Sequence, residues 1–101
     1  MLKEGPSLAD DYRRLHREVW PEVTARLVDS GITTMRIYLA GRRLFMYMEA
    51  VDGFDPASAF PQLASDPVYR RWDEWMRTLQ EPAPEARLGE WWTLMEEVFA
   101  L

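Results

Sequence analysis

The chain has 101 residues, 48% of them hydrophobic and 29% charged, with 12 Lys and Arg against 17 Asp and Glu for a formal net charge of -5. That length predicts one compact domain, residues 1–101, and the balance of apolar and charged side chains can bury a core instead of leaving a disordered chain. The negative charge repels phosphate backbones and anionic headgroups, arguing against nucleic acid and membrane as partners, and the lack of any cysteine excludes disulfides and thiolate chemistry.

The opening MLKEGPSLADD has no basic stretch leading into an apolar one, and no apolar run approaches the roughly 18 residues that cross a bilayer. A soluble, cytoplasmic protein is the expectation. Ser7 followed by Asp10 resembles a capping box with Asp in place of Glu, so a helix is predicted to begin near Leu8. Leu8, Tyr12, Leu15, Val19, Val23 and Leu27 then recur every three or four residues, the spacing of one buried stripe. Pro21 interrupts it, because proline cannot donate to the carbonyl four residues back, and a kink or a restart with Pro21 in the first turn follows. Ser30 and Gly31 close the helix, and Ile32-Thr33-Thr34 opens a strand to about Leu39.

Ala40, Gly41 and Arg42 form a short break before a second strand, Leu44 to Val51, which makes a hairpin. Both faces of these strands carry apolar residues, so neither is expected to meet only water. Asp55-Pro56 and Asp66-Pro67 each put a good N-cap ahead of a good first-turn residue and predict two helical starts. The second carries Val68, Trp72, Trp75, Met76 and Leu79 at amphipathic spacing, before the Pro-rich stretch EPAPEARLG ends it. The tail GEWWTLMEEVFAL suits either helix or extended chain by its pattern. The order strand, helix, strand, strand, helix leaves one place open in an α+β, ferredoxin-like β-α-β-β-α-β unit, and the tail is assigned to it as a strand.

His16 is the only histidine, and so the only side chain whose ordinary pKa, about 6.5, lets it exchange protons near neutrality. Tyr12 lies one turn earlier on the same face. Spacing alone leaves two readings open: a pair acting on one ligand, or a core tyrosine beside a surface histidine. Five tryptophans are many for a small core, and they suit equally a cavity for a partly polar ligand and an interface with a second copy. Most carboxylates are explained by solvated helix faces or helix ends, with Glu22 and Asp73 set apart. One histidine and no cysteine make zinc a poor prospect, no Gly-rich phosphate loop or GxSxG is present, and no cofactor is expected.

The set Tyr12-x3-His16-x3-Trp20-Pro21-Glu22, Ser30-Gly31, Leu44-Phe45 and Asp66-Pro67-x4-Trp72-x3-Met76 resembles the L-rhamnose mutarotase family, and the likeness runs from Leu2 to the MEEVFAL tail. The resemblance implies a homodimer of ferredoxin-like units, the dimeric α/β-barrel type, that interconverts the anomers of a monosaccharide without a cofactor. It implies that His16 donates a proton and that Tyr12 and Trp72 touch the sugar. Two sugar-contacting positions depart from the family pattern, with Met35 replacing an aromatic residue and Asp73 replacing the second of two tryptophans. Those exchanges put a flexible thioether and a carboxylate where flat rings are usual, so the sugar's hydroxyl pattern is open. Met1–Lys3 is also shorter than the family's first strand. The competing expectation is a small-ligand-binding dimer on the same fold that does not catalyse.

Overall fold

The computed structural model describes residues 1–101, which form four helices and one antiparallel hairpin. Helix α1 spans Leu8–Arg17 and α2 spans Pro21–Asp29. The single apolar stripe is therefore divided, with a restart at Pro21 in the first turn of α2. Trp20 ahead of it is extended (φ -55°, ψ 131°), as a residue before proline must be. The capping box is not made. Ser7 sits at φ -105°, ψ -7°, short of the extended cap conformation, and its hydroxyl donates to Asp11 Oδ2 at 3.1 Å while Asp10 pairs with Arg13 at 2.9 Å.

Gly31 turns the chain at φ +106°, a left-handed conformation that favours glycine, and a Cβ there would stand 3.0 Å from Val51 Cγ2. Strand β1 (Ile32–Ala40) pairs antiparallel with β2 (Arg43–Ala50) through a tight turn at Gly41-Arg42, in a register that sets Met35 opposite Met48, Ile37 opposite Met46 and Tyr38 opposite Phe45. Alternation then sorts the two faces. Met35, Ile37, Leu39, Leu44, Met46 and Met48 are half-buried on the inner face, whereas Tyr38, Phe45 and Tyr47 stand exposed on the outer one.

Both Asp-Pro pairs start helices. Asp55 accepts from Ala57 N at 3.1 Å to begin α3 (Pro56–Ser65), and Asp66 accepts from Val68 N and Tyr69 N at 3.0 and 3.1 Å to begin α4 (Pro67–Arg77). Asp66 also takes Arg26 Nε at 2.8 Å, tying the start of α4 to α2.

The expected four-stranded sheet is not formed within the chain. Beside the two-stranded hairpin stands only an isolated antiparallel bridge between Leu2 and Gln80. Leu2 N donates to Arg42 O at 2.7 Å and Lys3 N to Leu79 O at 2.9 Å, so the first residues lie between the hairpin turn and the segment after α4. Arg42 locks this junction by donating to Leu2 O and pairing with Glu81 and Glu4. The tail assigned as a strand is irregular from Trp91 to Leu101 and makes no backbone–backbone hydrogen bond there. A strand needs an edge to pair with, and the tail pairs with neither open edge of the two-stranded hairpin. Arg77 stacks over the ring of Trp91 at 5.0 Å, but Leu94, Val98, Phe99 and Leu101 are exposed.

The core gathers Leu2, Tyr12, Val23, Trp72 and Met76, with Ile37, Leu39 and Leu44 of the inner sheet face packed against it. No helix is long and apolar enough to cross a membrane.

Candidate active site

The helical spacing that places Tyr12 and His16 one turn apart brings their rings into a stack, with centroids 4.0 Å apart and planes inclined by 26°. Tyr12 is buried in the core, and its hydroxyl accepts a long hydrogen bond of 3.5 Å from Gln80 Nε2. Burial pushes its pKa up to about 12 against the weaker opposing effect of that bond, so the phenol stays protonated near neutrality. His16 is half-buried. Its Nδ1–H donates to the main-chain carbonyl of Tyr12 at 2.9 Å, the only arrangement in which that nitrogen and a carbonyl oxygen can bond. Burial lowers the imidazole pKa below its ordinary value, the bond to the Tyr12 carbonyl acting in the other direction, and the ring is mostly neutral near neutrality.

Both rings border a hollow of about 660 Å³ between α1, α2 and the inner face of β1. Its volume lies within the ordinary range for small-molecule sites. Leu27 and Val28 of α2 and Met35, Ile37 and Leu39 of β1 make its walls largely apolar, while Arg13, Arg17, Thr24, Thr33 and Thr34 supply polar groups. Arg13 is paired with Asp10, and Arg17 has no acidic partner. No group of three His, Asp or Glu side chains is placed to hold a metal ion.

Three of the residues singled out in the sequence, Tyr12, His16 and Met35, thus meet on one hollow. Trp72 stands behind them, its ring edge-on to His16 at 5.7 Å and 70°. It belongs to a cluster with Trp20 and Trp75, with centroids 5.3 to 5.8 Å apart, which borders a smaller hollow of about 300 Å³ with Arg14 and Glu18 on the other flank of α1. Asp73 borders neither hollow. It pairs with Arg77 at 3.0 Å, one turn along α4; burial raises its pKa and Arg77 opposes that rise. Glu22 is exposed in the first turn of α2. Gln80 was not singled out in the sequence, because it sits between a helix end and a Pro-rich loop, where nothing local marks burial. Arg13, Arg17 and Thr24 were not singled out either, and Thr33 and Thr34 entered the sequence reading only as the start of a strand.

Residues 1–101 match the family model described as L-rhamnose mutarotase. Over 99% of its length the chain is 41% identical to a UPF0734 protein of Dictyostelium discoideum, covering 83% of that protein. It is 37% identical to an L-fucose mutarotase of Xanthomonas campestris pv. campestris, over 99% of this chain and 82% of that one. An L-rhamnose mutarotase of Flavobacterium johnsoniae is 35% identical over 83% of this chain and 77% of its own. The chain belongs to the L-rhamnose mutarotase family and is an aldose mutarotase, an isomerase.

Proposed function

We propose that the protein interconverts the α and β anomers of L-rhamnose or of a related aldose such as L-fucose, by general acid–base catalysis in the hollow beside α1. The observation that carries this reading is the Tyr12–His16 stack on a hollow large enough to admit a monosaccharide. Opening a pyranose requires that the anomeric hydroxyl lose a proton and the ring oxygen gain one; the free aldehyde then rotates and the ring closes on its other face. An imidazole with a pKa near or below neutrality suits both transfers, each worth about 10²- to 10⁴-fold when well placed. In this reading His16 exchanges the protons and Tyr12 holds the imidazole. Met35 offers apolar contact to the sugar and Trp72 backs the histidine. The apolar walls suit the methyl group of a 6-deoxy sugar, and the threonines and Arg17 suit its hydroxyls. Asp73, engaged by Arg77, stays outside this assignment.

The same reading makes the protein a homodimer of ferredoxin-like units. The order Gln80, Leu2, Arg42, hairpin is the order that a completed four-stranded sheet would need. Only nine of 101 residues are buried, and an aromatic sheet face and an apolar tail remain for a second copy to cover.

Saturation-transfer NMR between the two anomers of L-rhamnose and of L-fucose tests the activity. The protein is expected to speed exchange of at least one of them. His16→Ala should abolish that gain while keeping the far-ultraviolet circular dichroism of the parent, and undiminished exchange in a folded His16→Ala variant would overturn the assignment.

A further inference from the structure

We propose that the smaller hollow, walled by Trp20, Trp72 and Trp75, is a second binding site, which takes a small free quaternary ammonium compound between the indoles and the carboxylate of Glu18. The inference stands apart from the mutarotase reading, because it uses neither the Tyr12–His16 stack nor the larger hollow.

The chain builds the walls from two places. Trp72 and Trp75 lie one turn apart on α4 and share a face, and Trp20, held extended ahead of Pro21, brings a third indole from the link between α1 and α2. The planes of Trp20 and Trp75 stand at 66° and 81° to that of Trp72, with centroids 5.3 to 5.8 Å apart. Rings at such angles form a corner, unlike the flat platform on which one face of a sugar stacks. A corner suits a rounded group that meets more than one ring at once. Methylated ammonium is such a group, and its spread positive charge is drawn to the negative faces of indoles. At about 300 Å³ the hollow lies at the small end of ligand sites, with room for a compact molecule.

The charges at this hollow favour the same class. Glu18 lines it, exposed and in no ion pair within the chain. Arg14, the other charged residue there, turns back along α1 to Asp11 at 3.4 Å. Arg17, next to Glu18 in sequence, borders the larger hollow on the other flank of the helix. Glu18 is also the C-cap of α1, where the main-chain carbonyls carry the negative end of the helix dipole. No cationic side chain of the protein lies over these three rings; the guanidinium that stacks on an indole is that of Arg77, on Trp91. An anionic ligand would meet Glu18 as a like charge, whereas the net charge of -5 draws a cation in from a distance.

Choline and its neutral isostere dimethylbutanol, in which carbon replaces the nitrogen, test the proposal by calorimetry and by the indole N–H signals of the ¹⁵N-labelled protein. Choline is expected to bind saturably, at least about fivefold tighter than the isostere, and to move the signals of Trp20, Trp72 and Trp75. Glu18→Gln, an exposed change of nearly the same shape, should weaken choline about fivefold and leave the isostere unaffected. Equal affinity for the two compounds, shifts confined to Trp91 and Trp92, or no binding of choline overturns the proposal. Displacement of choline from these indoles by L-rhamnose would make the hollow part of the sugar site and overturns it as well. The protein should stay in the supernatant when phosphatidylcholine vesicles are pelleted; sedimentation with them would assign the site to a lipid headgroup and overturn the free ligand. Anomer exchange by Glu18→Gln without choline should equal that of the parent, so that loss of choline binding and loss of the mutarotase activity are read separately.

Discussion

At Tyr12 the hydroxyl and the ring have separable tasks. The hydroxyl meets only Gln80, on the core side, and its pKa of about 12 keeps it from giving up a proton near neutrality. The ring supports the imidazole. Tyr12→Phe is therefore expected to cost about 0.5–1.5 kcal/mol of stability through the lost hydrogen bond and to change anomer exchange less than about tenfold, well inside the loss from removing a general base. Tyr12→Ala, which also removes the stack, should fall much further; urea titration and saturation transfer read the two effects separately. The Tyr12–His16 pair was legible in the sequence because residues four apart on a helix are neighbours by geometry alone. Gln80 was not, since its partner is 68 positions away and only the finished fold brings them together. Asp73 entered the site only through the family resemblance, as the replacement for the second of two tryptophans; in the fold its carboxylate pairs with Arg77, one turn along its own helix.

Among the elements, the Asp-Pro starts were readable because everything they need lies within three residues. Asp66 shows what the fold adds to such a signal, since its carboxylate caps α4 and also holds Arg26 of α2. Arg26 first, with the backbone N–H groups assisting, holds its pKa below the ordinary aspartate value. A carboxyl whose folded pKa is depressed stabilises the fold fully above the unfolded value of about 3.9 and loses that contribution as pH falls through the folded value. Asp66→Asn preserves a capping oxygen but removes the charge. Its urea midpoint should lie below that of the parent at neutral pH, and the gap should close in acid below the ordinary aspartate range. A gap independent of pH would show that the ion pair with Arg26 contributes nothing. The tail is the opposite case. Whether GEWWTLMEEVFAL becomes a strand depends on an edge elsewhere, and neither its periodicity nor the vacancy in a familiar element order contains that information. The capping box failed for a related reason, because the residue types were right but the backbone of Ser7 was not.

For the whole molecule, the inner face of the hairpin is used by the core and the outer face is left with Tyr38, Phe45 and Tyr47 exposed. That division bears on the sequence expectation that neither face meets only water, and it locates the surface for the proposed second copy. Sedimentation at micromolar concentration is expected to give twice the chain mass. The double substitution Tyr38→Glu, Phe45→Glu should shift the protein toward one chain mass, and a parent protein that sediments as a monomer would refute the dimer. The tryptophan cluster has a consequence of another kind. Indoles held 5.3 to 5.8 Å apart share excitation, and one of them lies edge-on to the sole imidazole of the chain. Imidazolium quenches a neighbouring excited indole more strongly than neutral imidazole does, so the emission of this protein should brighten as His16 loses its proton, giving the site a luminescent gauge that needs no added dye.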